Sequence, residues 1–123
     1  MNSYKNIVLD KNGRFLLQNA KWCNTFGSKL RGFTFRRELG AGDGLVLVEK
    51  KDSKLATSIH MLFVSFDLAV IWVNDAGEVV DTVLAKPWKL SYAPQSPARY
   101  VIEGHPDLLQ QVAVGDRITF QAV

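Results

Sequence analysis

The sequence predicts a mainly β protein: a single-domain antiparallel β-sandwich or distorted barrel with one or two short helices. Three observations carry that expectation. Apolar residues recur with a period of two along much of the chain, the mark of half-buried strands. Turn chemistry at Asn12-Gly13 and again over Asn74 to Gly77 separates apolar runs at hairpin spacing, not at the spacing of a βαβ unit. The clearest segment with helical spacing is interrupted by glycine.

In chain order, Asn6 to Leu9 reads as a short strand, and "DKNGR" supplies a turn in which Asn12-Gly13 favours positive φ. "FLLQNA" resumes the extended chain. In "CNTFGSKLRGFTFRREL", Asn24 or Thr25 is positioned to cap a helix with Phe26 and Leu30 on one side. Gly27 and Gly32 limit that helix to one to three turns, after which Phe33 and Phe35 alternate with polar residues. "GAGDGLVLVE" lacks the Lys-Ser/Thr ending of a phosphate loop and precedes a strand, Leu45 to Val48, so it reads as a turn. "KKDSK" reads as a polar loop.

Ile59 to Phe63 is apolar at nearly every position, which predicts a strand covered on both faces. Ser65-Phe66-Asp67 breaks the run, and Leu68 to Val73 forms the next strand. Gly77 suits a left-handed turn position before Glu78 to Val83 pairs back. "AKPWKLSYAPQSPARY" holds three prolines in sixteen residues and predicts an irregular surface connection. "RYVIEG" is a strand. "HPDLLQQV" carries a helical turn with Asp107 as a possible cap, and "VGDRITFQAV" closes the chain as a strand. Seven to nine short strands result.

The bulk composition fits this. At 123 residues, 47% hydrophobic and 22% charged, the chain suits one globular domain over residues 1–123. Cys23 is the sole cysteine, so an internal disulfide is excluded and a cytoplasmic location is expected. The N-terminal "MNSYKNIVLDKNGR" is broken by Asp10, Lys11 and Arg14, unlike a secretory leader, and no apolar run reaches a membrane span. The net charge of +3 is spread in small groups, too sparse for a nucleic-acid arm.

Few side chains suggest chemistry. His60 is the best single candidate, because an imidazole titrates near neutrality and both donates and accepts. Its neighbour Met61 points to the opposite face in an extended chain, so the two cannot share one ligand. A half-buried structural histidine is the alternative. His105 precedes Pro106 in a loop and reads as exposed. Two distant histidines and one cysteine make no zinc or copper spacing, and no cofactor is expected. Asp67 lies between apolar runs and needs donors or a cation: Arg31 is the expected partner, or backbone N–H groups of a turn. Glu103 ends a strand and either pairs there or helps line a pocket. No Gly-x-Ser-x-Gly turn occurs, and a Cys23, His60 and Asp67 set is only formally nucleophilic. Trp72 belongs to the core. Trp88 stands beside Lys86, Lys89 and Tyr92 in the proline-rich connection, either as a binding lip or as a pin holding the loop down.

Together, "GLVLVE" from Gly44 to Glu49, "IHMLFVSFDLAVIWVNDAGEVVD" and "PARYVIEG…VGDRI" resemble, in order and spacing, the bacterial and archaeal domain of unknown function numbered 192, over roughly Ala20 to Phe120. Arg31-Gly32-Phe33 stands near that family's Gly-Leu-Met element, and His60-Met61 where Trp-Met is usual. Asp67 falls near its Leu-Asp, with the order relative to Leu68 reversed. Asp75-Ala76-Gly77 fits the hairpin, Val101-Ile102-Glu103 fits Val-Leu-Glu, and Gly115-Asp116 fits the closing element. His60, Phe33 and "EGHPD" depart from the pattern. The resemblance implies a compact β-sandwich domain with small helices and names no reaction or ligand.

Two functions remain open at this level. One is a non-catalytic module that holds a small ligand or a protein with Arg31, His60, Asp67, Trp88, Tyr92 and Glu103. The other is a small enzyme with His60 and Asp67 as a general acid/base pair. No nucleic-acid or membrane partner is expected, and the chain is expected to be a monomer or a weak homodimer through a strand edge.

Overall fold

The computed structural model describes residues 3–25, 39–40 and 42–123. Seven strands dominate: β1 (Ser3–Leu9), β2 (Phe15–Cys23), β3 (Gly44–Ser53), β4 (Leu68–Val73), β5 (Val79–Ala85), β6 (Ala98–Gly104) and β7 (Ile118–Ala122). A 3-10 turn, Pro106–Gln110, precedes β7. The helix expected near Phe26 and Leu30 lies outside the described residues, as does Arg31.

All seven strands form one sheet in the order β5-β4-β6-β3-β2-β1-β7. Its neighbours are antiparallel except β2 and β3, which run parallel with Cys23 opposite Leu47. The sheet is therefore mixed, not the purely antiparallel one expected. A parallel pair cannot be joined by a tight hairpin, and β2 ends at Cys23 while β3 begins only at Gly44. The edge strands meet at one corner, where Glu78 bridges Arg117 and Val79 N–H donates to the Asp116 carbonyl at 2.8 Å. The sheet curls without closing into a barrel.

Each face of the sheet carries its own core. The concave cluster draws on all seven strands, with Ile7, Leu17, Val46, Ile71, Val79, Ile102 and Ile118 among its members, and Leu108 and Val112 filling one end. The outer cluster contains Cys23, Leu45, Leu68, Val70, Trp72, Ala85 and Val101, covered by Ile59, Met61 and Val64. Strand β4 shows why alternation vanished there: Ala69, Ile71 and Val73 face one core and Leu68, Val70 and Trp72 the other. Every residue of β4 is buried.

Three local expectations change. Ile59 to Phe63 is not a strand. Ile59 makes one bridge with Tyr92, Val64 N–H then turns back to the Met61 carbonyl, and Phe63 has φ of 62°. A left-handed residue cannot continue a strand. The unbroken apolar run reflects a covering segment that buries Ile59, Met61 and Val64 while leaving Phe63 outside. The "KKDSK" loop is partly strand, because β3 continues past a register shift until Ser53 pairs with Ala98. The cap of the 3-10 turn is His105, whose Nδ1 accepts the Asp107 N–H at 3.1 Å. Among the described residues, no helix is long and apolar enough to cross a membrane.

Candidate functional site

The outer core is roofed by two segments, 57–67 and 86–97, laid against each other. Ile59 and Tyr92 exchange both backbone hydrogen bonds at 2.8 Å. Met61 N–H donates to the Lys89 carbonyl, and Trp88 N–H to the Met61 carbonyl, each at 2.8 Å. Ile59, Met61 and Val64 point down into the sheet. Burying each such side chain is worth about 1.5–3 kcal/mol, so the roof is anchored by its own underside.

On the outside of this roof stand two aromatic rings. Phe63 and Trp88 contact edge to face, with centroids 5.2 Å apart and planes at 63°. They are 48% and 54% exposed. Both residues have left-handed backbones, at φ 62° and 65°. Bulky side chains rarely adopt that region, and each instance costs about 1–3 kcal/mol. The proline-rich connection supplies the remaining polar groups. Lys86 Nζ pairs with Asp67 Oδ2 at 3.0 Å, and its backbone N–H donates to the Tyr92 hydroxyl at 2.8 Å. The Lys89 ammonium lies 4.5 Å from the Tyr92 ring centre.

The candidate residues thus converge in part. His60, Asp67, Trp88 and Tyr92 share the roof. His60 is exposed, and its Nδ1 accepts the Leu62 N–H at 3.2 Å, which leaves Nε2 as the donor nitrogen. Asp67 is engaged by Lys86; Arg31, the partner expected from sequence, is outside the described residues. Glu103 sits on β6 between Leu45 and Val70, on the sheet face that the roof covers. Burial pushes its carboxyl up from 4.5 to about 7. Among the described residues, no three metal-binding side chains gather. Phe63 was missed, because an aromatic inside an apolar run gives no sign that its backbone turns outward.

A family model matches residues 7–120, under the description of an uncharacterized group, DUF192. The chain belongs to the DUF192 family. A UPF0127 protein of Thermococcus kodakarensis is 33% identical over 116 residues, covering 93% of this chain and 72% of the relative. A UPF0127 protein of Pyrococcus furiosus is 31% identical over 108 residues, covering 86% and 90%. A crystal structure of a protein of unknown function from Novosphingobium aromaticivorans superposes with a TM-score of 0.78 at 17% identity, over 96% of this chain and 84% of that one. That last likeness extends the DUF192 fold, and the fold alone, to a distant sequence.

The candidate side chains of this DUF192 chain therefore lie at two different depths. The rings, the two lysines, His60 and Asp67 lie on the roof; Glu103 lies on the sheet. The roof arrangement can hold a ligand between an apolar corner and cations. A buried carboxyl near neutrality can take up or release a proton at little cost.

Proposed function

We propose that this DUF192 protein is a non-catalytic binding module, and that its contact surface is the roof formed by segments 57–67 and 86–97. The observation that supports this reading is the Phe63–Trp88 pair. Two aromatic residues hold unfavourable backbone conformations and still leave about half their surface in water. Strain of this kind concentrates at clamps and contact sites. Lys86, Lys89 and Tyr92 frame the corner, with His60 and Asp67 on the opposing segment.

A binding role accounts for these groups better than acid/base chemistry by His60 and Asp67. The Asp67 carboxylate is spent on Lys86, and the Nδ1 of His60 on a backbone N–H. We place the module in the cytoplasm, without nucleic-acid partners, on its single cysteine and modest charge, and as a monomer or weak homodimer. The test is a thermal-shift screen of metabolites, nucleotides and peptides on the wild type and on Trp88→Ala. A ligand selective for the folded state raises the melting temperature. A hit retained in full by Trp88→Ala rules out this surface.

A further inference from the structure

The two edges of the sheet, β5 and β7, are finished differently. Along β5 the Thr82 N–H donates to Asp81 Oδ1 at 2.9 Å, and just beyond the strand the Lys86 N–H donates to the Tyr92 hydroxyl at 2.8 Å. Side chains thus occupy donors that another strand would need. β7 reads ITFQA, with no charge, no proline and no break in its register with β1, so it lacks the devices that ordinarily blunt an edge. Two hydrogen bonds tell which of its backbone groups face outward. The Asp10 N–H donates to the Arg117 carbonyl, so Arg117, and after it Thr119 and Gln121, turn toward β1. The Ile118 N–H donates the other way, to the Gly77 carbonyl, and Phe120 and Ala122 share that direction. Among the described residues, no backbone partner meets Phe120 or Ala122 on that side.

We propose that β7 pairs antiparallel with β7 of a second copy of this chain, across a twofold axis at Gln121. Phe120 of each copy then lies opposite Ala122 of the other. Each copy offers the N–H and carbonyl of both residues, and together these close into hydrogen-bonded pairs with none left over. The register is self-complementary in its side chains as well. The Phe120 ring meets the small Ala122, Thr119 meets the exposed Val123, and the two exposed Gln121 amides meet on the axis. Centring the axis on Phe120 instead would call on Ile118, whose N–H is already bonded to Gly77. A contact of this isologous kind closes on itself, and the occupied β5 edge gives no further strand to pair with, so assembly stops at two. No charged side chain lies on either β7, so the +3 of each copy opposes pairing only at long range. The surface shares no residue with the roof, so dimerisation and the role of the roof are separable.

The experiment follows sedimentation and amide hydrogen exchange of the 15N-labelled full chain across protein concentration. So small an interface belongs to the weak, transient class, and monomer should give way to dimer between about 10 μM and about 1 mM. The Phe120 and Ala122 N–H groups should exchange more slowly as the dimer forms, whereas those of Thr119 and Gln121, held by β1, should change little. Gln121→Lys sets two ammonium groups together on the axis and should weaken association about tenfold, with partial recovery as salt is added. Ala122→Pro deletes an outward N–H, spares the bonds to β1, and should abolish association while the melting temperature of the dilute protein hardly moves. Trp88→Ala, on the roof, should leave association unchanged. A chain that stays monomeric at the highest concentration overturns the proposal. So does a dimer that survives both β7 variants, or one that Trp88→Ala dissolves. Unchanged exchange at Phe120 and Ala122 in a dimer that does form places the contact elsewhere and overturns it too. If an added Thr- and Val-rich peptide slows exchange there while the chain stays monomeric, the edge takes another protein's strand and the second copy is lost.

Discussion

The indole Nε1 of Trp72 donates a 2.7 Å hydrogen bond to the carbonyl of Thr57, and both residues are 1% exposed. The bond ties the sheet to the first residue of the roof. Thr57 is held a second time, by its own hydroxyl donating to the Ser53 carbonyl at 2.6 Å. The roof is thus fastened at its origin by buried polar contacts and further on by Ile59, Met61 and Val64.

Replacing Trp72 with Phe keeps a ring in the outer core and deletes the donor. The Thr57 carbonyl is left buried without that partner, and the smaller ring leaves a void. The combined loss should be about 2–4 kcal/mol, read as a lower urea midpoint at unchanged m-value. Amide exchange should also quicken at Ile59 and Met61, whose N–H groups hold the two roof segments together. Protection left intact there would show that the roof is fastened elsewhere.

Glu103 should make stability fall as pH rises. Its carboxyl is pushed up by burial from an ordinary 4.5 to about 7. The folded state therefore holds its proton more tightly than the unfolded chain does. The stabilisation from that proton is complete below pH about 4.5, declines from there to about 7, and is gone above. A displacement of this size amounts to about 3 kcal/mol. Glu103→Gln should flatten the decline in that window and raise the melting temperature at pH 8 relative to wild type. An unchanged slope between pH 5 and 7 in the variant would assign the proton to another group.

Asp116 should act in the opposite sense. Its carboxylate meets the Lys11 ammonium at 2.8 Å and also accepts the Ala113 N–H at 2.8 Å, and these contacts hold its carboxyl below the usual range. A lowered folded value gives stability that is present above the unfolded pKa and lost as pH falls through the folded one. Asp116→Asn should therefore weaken the acid-side loss. The same corner holds Gly77, at φ of 87°, where an added Cβ would lie 2.9 Å from the Ile118 carbonyl oxygen. Gly13, at φ of 70°, has open space around it. Both alanine variants should be destabilised, Gly13→Ala by about 1 kcal/mol and Gly77→Ala by clearly more, in thermal or urea unfolding. Equal losses would mean that the corner where β5 meets β7 adapts freely.

Much of the fold was legible in the residues. Leu68 to Val73 was legible as a strand and Gly77 as the left-handed position of its hairpin, whereas the coverage on both faces expected of Ile59 to Phe63 belongs to Leu68 to Val73. The parallel pairing of β2 with β3 was not legible. Register between strands depends on where a crossover delivers the chain, and no residue of "LVLV" carries that information. The roof was misread for a related reason. A segment that buries alternate side chains against a sheet has the composition of a strand, and only its hydrogen-bond partners tell the two apart. At the site, Trp88, Lys89 and Tyr92 were visible as an aromatic and basic cluster in a proline-rich stretch. Phe63 was not, because its exposure follows from one backbone angle.

That backbone angle offers a direct check on what Trp88 is for. At φ of 65°, a glycine is unstrained, an alanine keeps the penalty of the left-handed region, and tryptophan bears it together with its packing on Phe63. Trp88→Gly should therefore be more stable than Trp88→Ala by about 1 kcal/mol. Because Trp88 is half in water, Trp88→Gly should also lie within about 1 kcal/mol of the wild type, far from the several kcal/mol that removal of a core tryptophan brings. A side chain that can be deleted so cheaply is not kept for stability. If Trp88→Gly instead unfolds like a core variant, the ring is a pin for the proline-rich connection, and the contact surface must be sought elsewhere on the roof.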